Sequence, residues 1–156
     1  MQLYNTLSAK ERATLLEEAG EDRLTLSFYQ YAKIGNPELF RNHLFIAWDE
    51  LNVLGRIYIA KEGINAQLSV PANTFAEFKS FLDGICFLEK VRLNIAVEHD
   101  LKSFLKLKVK VRNKIVADGL NDESFDVRNK GVHLDASKFN ELIEDPDTVL
   151  VDMRNH

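Results

Sequence analysis

The sequence predicts an α+β fold, an antiparallel sheet with two helices on one face, and three observations lead there. The stretch Val53–Pro71, VLGRIYIAKEGINAQLSVP, alternates apolar and polar residues on both sides of a tight turn at Lys61-Glu62-Gly63. That period of two marks half-buried strands. Amphipathic helical patterns lie on either side, Pro37–Leu51 and Thr74–Leu82, and a further alternating stretch lies outside each, Arg23–Ala32 and Val91–Val97. The order strand, helix, strand, strand, helix, strand is that of the ferredoxin-like βαββαβ sandwich.

The elements follow in chain order. Ser8-Ala9-Lys10-Glu11 matches a capping box, and the short helix it opens, with Leu15, Leu16 and Ala19 on its apolar side, stops at Gly20. In the first strand Leu24, Leu26 and Phe28 point one way and Thr25, Ser27, Tyr29 and Tyr31 the other. Asn36-Pro37 is a cap followed by a first-turn proline, opening a helix with Leu39, Phe40, Leu44, Ala47 and Leu51 at helical spacing. In the central hairpin Gly63 supplies the positive φ expected of a three- to five-residue loop. Asn73 caps a helix bearing Phe75, Phe78, Leu82 and Ile85. Val91, Leu93, Ile95 and Val97 point inward from the next strand, and Ser103–Val116 adds a long extra strand.

Residues 1–117 therefore read as one domain. Residues 118–131 are polar, rich in turn residues, and read as a linker. From residue 132 to 156 structure resumes, with a helix over Ala136–Glu144 and an apolar strand over Thr148–Met153 that has no partner in the sequence. A second domain is expected to begin there and to be cut short. Its unpaired apolar strand makes self-association through this C-terminal piece an expectation.

Composition narrows the classes. No apolar run reaches the roughly 18 residues of a membrane span, and the first residues, MQLYNTLSAKER, carry no basic-then-apolar leader. A single cysteine, Cys86, allows no internal disulfide framework and fits a reducing cytoplasm. Set in Ile85-Cys86-Phe87-Leu88, it reads as an inert buried thiol. His43, His99, His133 and His156 are scattered without ligand spacing, so no metal site is expected. The net charge of −4 exerts no overall pull on nucleic acid, and charge has to be read locally.

The strongest local signal is the run Lys106, Lys108, Lys110, Arg112 and Lys114, cations at period two with Leu105, Leu107, Val109 and Val111 between them. On one strand face they would span roughly 26 Å at about 3.3 Å per residue, a row able to follow a phosphate backbone. Lysines on an edge strand also prevent edge-to-edge aggregation, and the residues alone leave that alternative open. A second candidate is the open sheet face, with Arg56, Tyr58, Tyr29 and Tyr31, because aromatics there can stack unpaired bases. The competing reading buries these tyrosines under the extra strand or a further domain. Acylphosphatase chemistry would need a phosphate cradle with an arginine after the first strand. The loop Tyr31–Asn36 has one glycine and a lysine but no arginine, so that activity is not expected.

The strings LTLSFYQY, GRIYIAKEGINAQLSVP, VRLNIAV, KVKVRNKIVADG and DPDTVLVDMRNH, taken together, resemble a rhodanese-related family, the tRNA uridine hydroxylases. The resemblance covers almost the whole chain. It implies a ferredoxin-like (acylphosphatase-like) domain followed by the truncated start of a rhodanese domain, Asp152-Met153-Arg154 being similar to the acidic-x-Arg end of an early rhodanese strand. It also implies oxygen-dependent hydroxylation of the wobble uridine to 5-hydroxyuridine in the intact protein, with tRNA as partner, dioxygen as co-substrate and no other cofactor assigned. The family's active cysteine lies in a rhodanese loop beyond His156, so no catalytic residue is expected here and the chain alone is expected to be inactive. With this resemblance, Lys106, Lys108, Lys110, Arg112, Lys114, Arg56 and Tyr58 become the candidate RNA-binding residues. The alternatives are an accessory domain of a rhodanese-type sulfurtransferase and a non-catalytic interaction module.

Overall fold

The computed structural model describes residues 8, 10–14, 22–97, 104–115, 131–132 and 134–152. The expected helix end at Ala19-Gly20, most of the linker and Met153-Arg154 lie outside these residues. By internal packing the chain divides into two units, Met1–Phe125 and Asp126–His156.

At the start of the first unit the capping box forms as expected. Ser8 N donates to Glu11 Oε2 at 2.7 Å and Glu11 N to Ser8 Oγ at 3.3 Å, at the head of a helical turn over residues 10–14. These hydrogen bonds, the side chain of Ser8 first, hold the Glu11 carboxyl below its ordinary range.

The body of this unit runs β1 (Arg23–Tyr31), α1 (Pro37–Glu50), β2 (Leu54–Ala60), β3 (Gly63–Pro71), α2 (Phe75–Asp83), β4 (Asn94–Ile95) and β5 (Leu107–Val111). The sheet order is β4-β1-β3-β2-β5. Its first four strands are antiparallel neighbours in the ferredoxin-like order, while β5 joins the outer edge parallel to β2. The architecture is the α+β sandwich with an extra strand.

Alternation decides what each face carries. Leu26 and Phe28 of β1, Ile57 and Ile59 of β2, Ile64, Ala66 and Leu68 of β3, and Leu107 and Val109 of β5 share one buried face. Against it pack Leu44, Phe45 and Trp48 of α1 and Phe78 and Leu82 of α2. Trp48 lies at the centre, edge-on to Phe28 at 6.5 Å and tilted on Phe78 at 5.4 Å. Asn36 caps α1 through Leu39 N at 3.0 Å, with Pro37 in the first turn.

The structure departs from the expected details in several places. The apolar side of α1 is centred on Leu44, Phe45 and Trp48, which leaves Leu39 exposed. Asn73 lies in a 3₁₀ turn (Ala72–Thr74), so the residue ahead of α2 is Thr74, whose hydroxyl donates to Leu51 O instead of capping. β4 has only two residues, its ladder to β1 is limited to Leu26 and Ser27, and Ile95 and Val97 are exposed. The extra strand is Leu107–Val111 rather than Ser103–Val116, since β2 offers it only Gly55–Ile59 for pairing.

The hairpin loop is also tighter than expected. Lys61 and Glu62 alone connect β2 to β3, and Gly63, paired with Ala60, is already strand. Its φ of 152° is positive as expected, but the decisive constraint is close approach: a Cβ there would lie 2.2 Å from Gln30 O of β1.

In the second unit, helix α3 (Ala136–Ile143) forms as predicted. Asp135 caps it by accepting from Lys138 N at 2.8 Å. The strand expected from Thr148 does not form over the described residues 148–152, and Val149, Leu150 and Val151 are exposed. A strand needs a ladder partner to satisfy its backbone groups, and the described residues supply none.

Candidate nucleic-acid interface

The face opposite the helices is the one with chemistry on it. Parallel pairing of β2 with β5 sets Arg56 beside Lys108 and Tyr58 beside Lys110. Arg56, Lys108 and Lys110 are exposed, and no acidic side chain among the described residues pairs with them. Just past the strand, Arg112 N donates to Ile59 O at 2.8 Å, and its guanidinium stands 5.5 Å from the Tyr58 ring centroid. That is the geometry of a cation–π pair.

The five cations do not form one continuous row. Lys108 and Lys110 lie within β5, Lys106 precedes it in a bend, Arg112 follows its last residue, and Lys114 lies further on. Lys106 and Lys114 are half-buried. The structure replaces a single line of cations with a cluster two strands wide, in which Arg56 stands among the cations and Tyr58 among the aromatics.

The tyrosines are not buried by the extra strand, because β5 extends the sheet sideways instead of covering it. Tyr29 is 59% exposed and meets Tyr31 edge-on at 6.1 Å. It faces Asn65 of β3, which in turn faces Tyr58 of β2. Residues after β5 turn back over one end of this face. Asn65 Nδ2 donates to Ile115 O at 3.3 Å, and Ile115 N donates to Glu62 Oε1 at 2.8 Å. Glu62 in the hairpin turn thus anchors the segment that follows β5. From the other side of the sheet, Arg41 of α1 donates to Val109 O at 3.1 Å.

Sequence reasoning missed Arg23. It is buried, donating from Nε to Ser69 Oγ at 2.9 Å and from Nη2 to Ser69 O at 3.0 Å and Asn52 O at 2.5 Å. Arg23 ties the turn between α1 and β2 to the edge of β3, which is a structural task. An arginine opening an alternating stretch gives no local signal of it.

Neither the first loop nor the cysteine offers an alternative centre. Ala32 N and Ile34 N donate to Glu62 O and Lys61 O, both at 2.9 Å, so those amides are engaged and do not form a phosphate cradle. Cys86 is exposed rather than buried, because it falls in the turns after α2 while Leu88 takes the core position. Among the described residues no three histidine, cysteine or carboxylate side chains meet in a way that could hold a metal ion.

Comparison with known proteins agrees with this architecture. The family model described as the UPF0176 acylphosphatase-like domain matches residues 23–115, more than half of the chain. The chain belongs to that family. Three similar curated proteins are each named tRNA uridine(34) hydroxylase. Those of Yersinia enterocolitica and Pectobacterium carotovorum are each 51% identical over 156 residues, and that of Leptospira interrogans is 49% identical over 154. Each alignment covers 99% of this chain but only 42–44% of the relative, so the chain spans less than half the length of the relatives it matches.

Proposed function

We propose that this chain is the tRNA-binding part of an enzyme that hydroxylates the wobble uridine of tRNA to 5-hydroxyuridine, with dioxygen as co-substrate. The observation that carries the proposal is the pairing of β2 with β5, which brings Arg56, Lys108 and Lys110 onto one open face beside Tyr58 and Arg112. Cations without an acidic partner among the described residues supply phosphate affinity without sequence reading, and the exposed Tyr29 on the same face supplies a ring for stacking. The name carried by relatives that align with nearly the whole chain supports tRNA as the nucleic acid. On this reading Lys106, Lys114 and Arg112 extend the phosphate track, and the oxygen chemistry is performed by residues outside this chain. Residues 118–131 link the binding domain to the start of a rhodanese domain at 132–156, and the site of action is the cytoplasm. Among the described residues no helix is long and apolar enough to cross a membrane.

The test is titration with tRNA at two salt concentrations. Replacing Arg56, Lys108 and Lys110 by glutamine should weaken binding and reduce the log–log salt slope by roughly 0.7–0.9 for each phosphate no longer neutralised. An unchanged slope would reduce the lysines of β5 to edge protection. The same preparation, incubated with tRNA in air, should yield no 5-hydroxyuridine. Turnover that disappears in Cys86→Ala would bring the chemistry back into this chain.

A further inference from the structure

A cavity of about 390 Å³ opens on the same sheet face, at the end away from β5. That volume falls within the range of ligand pockets, roughly 300–1,000 Å³. Its wall includes Thr25 and Ser27 of β1, Gln67 of β3, Asn94 of β4, Ala96 and Phe104. Phe104 comes from the segment between β4, at one edge of the sheet, and β5, at the other. With Leu26 and Ile95 completing the wall, the lining combines one aromatic ring and aliphatic groups with two carboxamides and two hydroxyls. Gln67 and Asn94 are exposed, so their amide groups are accessible to a ligand.

The strand register connects this cavity to the cations. Asn94 lies opposite Ser27, Ser27 opposite Gln67, Gln67 opposite Arg56, and Arg56 opposite Lys108. These residues form one row across all the strands, about 19 Å long at about 4.8 Å per step. It begins with neutral amides around an aromatic and ends with two cations.

We infer that the cavity receives an unpaired nucleobase of single-stranded RNA, with the phosphates of the same strand running along the row toward Arg56 and Lys108. A carboxamide donates and accepts at once, which matches the mixed donor and acceptor edge of a base. An aromatic wall suits any base, because every base has a π-face. In a duplex the base is stacked and paired, so this site excludes double-stranded RNA. The inference rests on the RNA-binding reading above and adds to it where a base is held and which strand form is selected.

The experiment uses the chain itself with two labelled probes, a short oligouridylate and a blunt RNA duplex of equal length. The expected result is tighter binding of the single strand. Gln67→Ala, at an exposed position, and Phe104→Leu, which keeps an apolar side chain, should each weaken that binding. For the ring the expected loss is roughly 5- to 150-fold, the range for one base–aromatic stack. Duplex affinity and the salt slope should stay as in the parent, whereas Lys108→Gln should lower both. Equal affinity for the two probes, or unchanged single-strand binding in both pocket variants, overturns the inference. If Lys108→Gln weakens binding and neither pocket variant does, the inference falls and the basic surface stands. If the parent binds neither probe nor tRNA, both readings fall together.

Discussion

Two glycines and one arginine show how much a single position can carry in this fold. At Gly63 a Cβ would meet the backbone oxygen of Gln30 at 2.2 Å, and at Gly55 it would meet that of Gln67 at 2.5 Å. Neither clash can be relieved by rotating a side chain, because both partners are backbone in a paired strand. Gly63→Val is therefore expected to destabilise the domain by more than about 1 kcal/mol, read as a lower urea midpoint. An unchanged midpoint would mean that β3 can move away from β1 at no cost. Arg23→Leu should cost about 1–3 kcal/mol for the buried carbonyl of Ser69 that loses its donor, while Asn52 O, at an exposed residue, turns to water. If the variant unfolds with the parent, water replaces the guanidinium at Ser69 as well. The positive φ of Gly63 was legible in the sequence as a turn signal. The approach of β1 to it was not, because Gln30 is remote in sequence.

Among the elements, α2 shows how a helix end is held without a side-chain cap at its start. Asp83 accepts from Lys79 Nζ, one turn back, at 2.5 Å and from Lys90 N at 3.0 Å, and Lys90 itself adopts a left-handed φ of 57°. The hydrogen bond from Lys79 first, then that from Lys90 N, lowers the Asp83 carboxyl below its ordinary value of 3.8. A carboxyl lowered in the folded chain stabilises it above the unfolded pKa, and that contribution is lost as pH falls through the folded value. Asp83→Asn should therefore lower Tm at neutral pH, and the gap to the parent should close as pH drops below 3.8. A gap that persists in acid would assign the effect to helix packing rather than to the carboxylate. β5 shows the opposite case, an element shorter than its alternation suggests. Its cationic period continues past Val111, but its ladder to β2 ends at Ile59.

At the scale of the whole molecule the two units differ in how well they bury their apolar residues. The first closes its core around Trp48, which is fully buried. In the second, Phe139, Leu142 and Ile143 of α3 and Val149–Val151 remain exposed. Apolar surface in water costs about 25 cal/mol per Å², and an apolar stretch without a ladder partner is a template for pairing. We expect the chain to self-associate through this unit, and a version ending at Lys130 to be monomeric. Sedimentation of the two side by side checks it. Monomers in both cases would leave the second unit solvated and refute the expectation.

By itself the sequence determined whatever depends on neighbours along the chain. The capping box at Ser8–Glu11, the Asn36-Pro37 start of α1, the helix from Ala136 and the alternation of β1, β2 and β3 all formed as read. The ferredoxin-like order followed, because hairpin and crossover geometry admits few arrangements of βαββαβ. Tertiary structure alone decided which side of α1 is buried, how far β4 and β5 extend, and whether residues 148–152 pair. Each of those depends on a surface supplied from far away in the chain. The candidate interface divides in the same way. Lys108, Lys110, Arg56 and Tyr58 were legible as residue types, but their meeting depends on a parallel register between strands some fifty residues apart, for which no local pattern exists. The cavity at Gln67, Asn94 and Phe104 was not legible at all, since its residues come from three strands and a connecting segment and converge only once the sheet is assembled.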